Sequence, residues 1–354
     1  MTPALPRSAR AVRCGLIAVV GGGLAIGCVE PATPRAVVGR EVRIAVDSAT
    51  TLAGTLTMPV RAAASCAPAV LLLSGSGLQD REGARADVPG YRPWRDVRDA
   101  LIARGVAVLQ LDDRGFGGST GAFAGATTAD FARDAGTALR WLREVPGIDA
   151  WRLAVVGHSE GAVEALLVAQ ADRQLAALVL LGAPSRPGRE IARSQRQELV
   201  GSDLARWPAR ERRAVLAAAE AVAESLAVRD PWLRQWFALD PRDVARGVRV
   251  PVLLLHGETD RQVPPRHADE LADVLRRSGA PVVAVRHLPQ TNHLLLADRD
   301  GDPQGYGRLP DRRVRREALE ALVGFLVTQL SETLPPAKGR ASREKPASLR
   351  ENSC

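Results

Sequence analysis

Continuous apolar runs separated by stretches of helical period constrain this chain more than any other feature in it. Ala69-Val-Leu-Leu-Leu73, Val106-Ala-Val-Leu-Gln-Leu111, Leu153-Ala-Val-Val156, Leu178-Val-Leu-Leu181, Val252-Leu-Leu-Leu255 and Val282-Val-Ala-Val285 lack the in–out alternation of half-exposed strands. Strands of a parallel sheet look like this, because helices cover both of its faces. Helix-period stretches fall between most of the runs: Trp94 to Arg104, Thr128 to Arg143, Ala162 to Gln170 and His267 to Arg277, with Arg312 to Leu330 as a closing amphipathic helix. The alternation predicts an α/β fold, a doubly wound and mostly parallel sheet. Upstream, Glu41 to Val46 and Leu52 to Met58 do alternate, and they predict an antiparallel hairpin at one edge.

One stretch breaks the rhythm. Between the runs at 178–181 and 252–255 no strand signal occurs; instead there is a helical segment, Glu211 to Leu226, and the aromatic group Trp207, Trp232, Trp236 and Phe237. A helical cap at about 184–248 would overhang the carboxyl ends of the strands, where open α/β sheets place their sites. Two readings of its aromatics stay open. They line an acyl or leaving-group pocket, or they form the small core that the insertion needs for itself. The domain is expected to span 41–330, with a linker at 28–40 and a disordered, Pro- and charge-rich tail at 331–354.

The N-terminus reads as targeting sequence. Arg7, Arg10 and Arg13 precede the apolar stretch Cys14 to Gly27, which is too short to span a bilayer comfortably. It ends in Leu24-Ala25-Ile26-Gly27-Cys28, which resembles a bacterial lipobox with Cys28 as the lipidated residue and Ala25 where leucine is usual. The expectation is a signal peptide over 1–27 and a protein exported to the cell envelope. Such a protein is attached to the membrane through Cys28, is an ordinary secreted product, or keeps the segment as an uncleaved anchor. With Cys28 acylated, Cys66 and Cys354 would be the remaining mature thiols, and no disulfide framework is expected. The net charge of +8 owes three charges to the N-terminal arginines, and the basic residues of the body are scattered among acids. No basic stripe with interleaved aromatics appears, which argues against a nucleic-acid partner.

Chemistry enters at Val155-Val156-Gly157-His158-Ser159-Glu160-Gly161. A strand runs into a glycine, and one serine later a second glycine opens an alanine-rich helix. This is the G-x-S-x-G nucleophile elbow in its strand–turn–helix setting. In a chain with 32 glycines a bare match carries a real chance rate, and the flanking elements are what give it weight. The turn brings backbone so close that a Cβ on either flank would clash, and the helix points its positive end at the serine oxygen.

A serine needs a base, and the base an orienting acid. Of the histidines, His293 follows the last strand in Gln290-Thr-Asn-His293-Leu. Asp260 follows the preceding strand in His256-Gly-Glu-Thr-Asp260-Arg-Gln-Val-Pro-Pro265, where Glu258 is its rival and a turn or helix N-terminal role is the bland alternative. The order Ser159, Asp260, His293 puts each residue on a loop at one edge of the sheet. His158 is expected to point away from the Ser159 oxygen. The oxyanion hole is assigned to the backbone N–H groups of Glu160 and of Ser76, the latter in Leu73-Ser-Gly-Ser-Gly-Leu-Gln-Asp-Arg81. A Gly/Ser loop is otherwise simply a turn.

These stretches, with Asp112-Asp-Arg-Gly-Phe-Gly-Gly-Ser-Thr-Gly121 and Asn292-His293, resemble the α/β-hydrolase superfamily over about 40–330. Within it they are similar to serine carboxylesterases related to the catalytic domain of prolyl-oligopeptidase-type, dienelactone-hydrolase-like enzymes. Family members often carry His-Gly where this chain has Ser74-Gly75, and Pro where it has Leu78. The resemblance implies cleavage of small carboxylic esters through an acyl-enzyme. A thioesterase or peptidase on the same residues, or a non-catalytic envelope lipoprotein that keeps the fold, are the alternatives. No cofactor or metal is expected. Asp298-Arg-Asp300-Gly-Asp302 starts like a calcium loop, but Pro303 replaces the required glycine, and no Cys/His zinc set occurs.

Overall fold

The structure is a computed structural model and describes residues 39–60 and 66–331. The signal segment, Cys28, most of the linker and all but the first residue of the C-terminal tail lie outside the described residues. The described strands are β1 (Gly39–Ala45), β2 (Thr51–Thr57), β3 (Ala67–Leu73), β4 (Ala107–Leu111), β5 (Ile148–His158), β6 (Ala177–Leu181), β7 (Val252–Gly257) and β8 (Val283–Leu288). They form one sheet in the order β1-β2-β4-β3-β5-β6-β7-β8. The β1–β2 and β2–β4 pairs are antiparallel and every other pair is parallel, so the expected doubly wound sheet with an edge hairpin is present.

The absence of alternation in the runs has the predicted cause. Leu71, Leu73, Val155, Leu178 and Leu254 face one core, which is completed by α2 (Thr128–Arg143), α3 (Glu160–Ala171) and α8 (Arg266–Arg277). Val70, Leu72, Val156, Val179 and Leu255 face the other, against α1 (Pro93–Ile102) and α9 (Arg316–Ser331). Neighbouring residues thus point to opposite faces, and both faces are covered.

Three expectations need correction. The run at 282–285 read as a strand buried on both faces, yet β8 is the sheet's edge: Val282 is 42% exposed and most of the strand only half-buried. A strand paired on one side only keeps an open flank that an apolar run cannot reveal. The last helix begins at Arg316 and not at 312, because the chain before it is tied to α1. There the Asp96 carboxylate accepts from Arg313 Nε at 2.7 Å and from the Val314 N–H at 2.9 Å. Cys66 is disulfide-bonded, where the sequence suggested a free thiol.

Between β6 and β7 the chain forms α4 (Gly188–Asp203), α5 (Ala209–Arg229), α6 (Pro231–Ala238) and α7 (Pro241–Ala245). Trp236 and Phe237 of α6 pack with Ala227 of α5 and with Val163 of α3. The insertion is therefore fastened to the helix that follows Ser159.

Candidate active site

β5 ends at His158 and α3 starts at Glu160, which leaves Ser159 as the single residue of the turn. Its backbone sits at φ 55° and ψ −118°, in the left-handed region where a side chain costs about 1–3 kcal/mol. Close approach sustains this strain. A Cβ on Gly157 would lie 2.1 Å from the Gly161 carbonyl oxygen, and one on Gly161 would lie 2.1 Å from that of Ser74. The Ser159 N–H donates to the Leu181 carbonyl at 2.9 Å, which ties the turn to the end of β6. Gly161→Ala is expected to cost about 3 kcal/mol of stability, because the end of β3 would have to move. Urea denaturation monitored by far-UV circular dichroism measures it.

Among the described non-glycine residues, left-handed backbone occurs at Ser159, Gln290 and Leu295, so the other two flank His293. The loop that carries His293 is held from inside by Asn292, whose Oδ1 accepts from the N–H groups of Leu294 at 3.0 Å and Leu296 at 3.1 Å. Tyr91 donates to the Leu294 carbonyl at 3.1 Å. His158 closes the loop from the other side. Its Nε2 lies 2.8 Å from the His293 carbonyl oxygen, and the two rings are 4.8 Å apart between centroids. Burial, with His293 beside it, pushes the His158 pKa down to about 3, so the ring is neutral and donates through Nε2.

Asp260 and His293 meet. The carboxylate Oδ2 lies 2.7 Å from His293 Nδ1, and Oδ1 accepts from the N–H groups of Gln262 at 2.9 Å and Val263 at 2.8 Å. A second imidazole stands near the same oxygen: His256 Nε2 is 3.3 Å from Oδ2 and 2.7 Å from the Val263 carbonyl. Burial raises the Asp260 pKa, but the His293 ring and the hydrogen bonds from His256 and His293 outweigh it. Together they hold the carboxyl well below the usual carboxylate range. The rival Glu258 is exposed.

Ser159 and His293 line one cavity of about 250 Å³ together with Ser76, Trp232 and Trp236. Gly75 is close enough that a Cβ there would sit 3.1 Å from the Ser159 Cβ, and Gln79 Nε2 steadies the loop by donating to the Gly75 carbonyl at 3.0 Å. Both readings of the insertion's aromatics have a place in the structure. Trp236 and Phe237 build its small core, and Trp232 and Trp236 also wall the cavity, while Trp207 is exposed.

A second Ser/His/acid group has a different character. The Ser185 hydroxyl donates to Glu270 Oε2 at 2.5 Å and lies 2.6 Å from His267 Nδ1. The Ser185 backbone N–H also donates to that nitrogen, at 3.1 Å. Ser185 and His267 are buried, so the trio fastens the loop after β6 to α8. Asp298, Asp300 and Asp302 spend one oxygen each on backbone N–H groups of their own turn. Among the described residues no His, Cys, Asp and Glu group is arranged to hold a metal ion.

Several of these groups escaped the sequence reading. The ring of His158 against His293, the second imidazole at Asp260 and the supporting role of Asn292 are all packing relations. Only adjacency to a motif could have drawn attention to them.

Comparison with known proteins bears on the fold and the family. Esterase EstD of Thermotoga maritima is 26% identical over 236 residues, which is 65% of this chain, and the chain spans 55% of that relative's length. The Pyrococcus furiosus esterase Pf2001 superposes with a TM-score of 0.56 at 18% identity, covering 83% of this chain and 91% of that one. Est1E of Butyrivibrio proteoclasticus gives 0.53 at 16% identity, covering 82% and 99%. Acylaminoacyl peptidase of Pyrococcus horikoshii gives 0.57 at 17%, covering 84% of this chain and 42% of the peptidase. At such identities these structures speak for the α/β-hydrolase fold alone. Residues 92–300 match the Hydrolase_4 model, described as serine aminopeptidase S33; this stretch is more than half of the sequence, and the chain belongs to that family.

Proposed function

We propose that the protein is a serine hydrolase that cleaves carboxylic esters, with Ser159 as nucleophile, His293 as general base and Asp260 as its orienting acid. The observation that carries this reading is the cavity shared by a strained elbow serine and an imidazole whose Nδ1 is held 2.7 Å from a buried carboxylate. With Nδ1–H committed to Asp260, the unprotonated Nε2 of His293 takes the Ser159 proton as Oγ bonds to the ester carbonyl carbon. Negative charge gathers on the carbonyl oxygen, where the N–H groups of Glu160 and Ser76 stabilise it. The first four N–H groups of a helix have no partner within it, so Glu160 at the start of α3 is suited to that task. His293 returns the proton to the departing alcohol, and water repeats the sequence on the acyl-enzyme.

The helical insertion serves as a cap in this reading, since Trp232 and Trp236 wall the cavity of Ser159. The decisive experiment is labelling with a fluorophosphonate probe. Wild-type protein is expected to become covalently modified at Ser159, and Ser159→Ala is expected to remain unlabelled. An unlabelled wild-type protein would overturn the assignment. The family description favours peptide hydrolysis as a second reading. Esters and p-nitroanilides with matched acyl groups decide between the two, with the ester expected to show the higher kcat/KM. Export and lipid attachment at Cys28 are proposed on the sequence of residues 1–28, and a disulfide at Cys66 suits an oxidising compartment.

A further inference from the structure

A second cavity, of about 180 Å³, shares Gly75, Ser76 and Trp232 with the one that holds Ser159 and His293. Clefts for whole drug-sized ligands run to about 300–1,000 Å³, so this one takes only one end of a substrate. Its wall carries Asp113, Glu160, Glu164 and Asp230, and no Arg, Lys or His. Phe123, Phe131 and Trp232 supply aromatic surface, with the two phenylalanine rings tilted against each other at 5.6 Å.

Three of the four carboxylates have partners in the protein. Glu160 Oε1 accepts from Thr128 Oγ1 at 2.6 Å and from Trp232 Nε1 at 2.7 Å. Asp230 accepts from the Leu233 N–H at 3.0 Å, and Asp113 from the N–H of Gln79. Glu164 is different. It is 8% exposed and has no hydrogen bond or ion pair among the described residues. The cations nearby are already engaged: Arg114 forms a fork on Asp134 at 2.7 and 2.5 Å, and Arg81 bonds Asp112 at 2.8 Å.

A buried carboxyl group with neither donor nor counter-charge carries a desolvation cost that a bound cation would remove. Burial, followed by the charges of Glu160, Asp113 and Asp134, raises the Glu164 pKa well above the usual range. Asp113 is pushed up to about 7, first by burial and then by Asp112, Glu160 and Asp134, against the single N–H from Gln79. The acids are not arranged to hold a metal ion, and aromatic faces favour organic cations. We propose that this cavity is a subsite for an ammonium group carried by the ester substrate, which is bound by Glu164 and Asp113 and walled by Phe123, Phe131 and Trp232. The proposal rests on Ser159 as the nucleophile and adds the substrate class: cationic esters, with the charge a short chain away from the scissile carbonyl.

The test compares p-nitrophenyl esters of straight-chain acids that end in a trimethylammonium group with esters that end in a tert-butyl group on the same number of methylenes. The two ends have the same shape and differ in charge. At about pH 8, kcat/KM is expected to favour the cationic ester by roughly tenfold or more, the scale of a charge-assisted contact in a buried site. Glu164→Gln is expected to bring that ratio close to one. The ratio is taken within each preparation, so loss of folded protein cancels, and Asp113→Asn serves where Glu164→Gln does not fold. A wild-type ratio at or below one, or a ratio that both variants leave unchanged, overturns the proposal.

If no ester is turned over, the reading of Ser159 has failed and binding still decides the subsite. Butyltrimethylammonium should change tryptophan fluorescence saturably where sodium chloride at equal ionic strength does not. The affinity should fall as the pH drops through about 7 and Asp113 takes up a proton. Absence of a saturable change overturns the subsite on its own.

Discussion

Ser159→Ala is expected to lower kcat for p-nitrophenyl acetate by roughly 10⁴-fold or more, the scale seen when a triad nucleophile is deleted. The substitution removes one oxygen from the wall of a cavity and leaves the elbow's close contacts intact, so the protein should fold as before. The loss therefore reports on chemistry. Steady-state kinetics on protein whose circular dichroism matches wild type measures it. Activity within tenfold of wild type would mean that another group attacks the ester. Ser185 is the serine that would then need attention, although it is buried against His267 and Glu270 and does not line the cavity of Ser159.

Asp260→Asn should lower kcat by about 10⁴-fold through the tautomer of His293. The argument follows from the contacts. Oδ1 accepts two backbone N–H groups, from Gln262 and Val263, so an asparagine keeps its carbonyl oxygen there and turns its NH₂ toward His293. Nδ1 must then accept. The ring proton moves to Nε2, and the base can no longer take the proton of Ser159. The same NH₂ would face the Nε2–H of His256, which stands 3.3 Å from Oδ2 in the native site, so some stability is lost as well. Because the Asp260 pKa lies below its unfolded value, its charge stabilises the fold fully above about pH 4. That contribution is lost as the pH falls further, through the folded-state pKa. A variant with wild-type kcat at neutral pH would show that His293 does not depend on this carboxylate.

Much of the architecture was legible before any coordinate. Most of the apolar runs without alternation are strands covered on both faces, and the glycines of Gly157-His158-Ser159-Glu160-Gly161 mark a turn tight enough to forbid a Cβ. The chain order offers Asp260 with Glu258 as its rival, and burial separates the two only in the structure, which buries Asp260 and exposes Glu258. Less legible was the edge position of β8. A run of four apolar residues is the same text whether one neighbour strand or two lie beside it.

Local chemistry along the chain determined which residues can be strand, elbow and acid–base candidates, because periodicity, steric exclusion at glycine and titratable groups belong to short stretches. The tertiary structure alone decided what those residues touch. It set the ring of His158 against His293, placed His256 beside Asp260, brought Trp232 of the insertion onto Glu160, and left Glu164 inside a cavity with no donor. These are contacts between residues up to 135 positions apart, and they depend on side-chain packing across the sheet that no local pattern encodes.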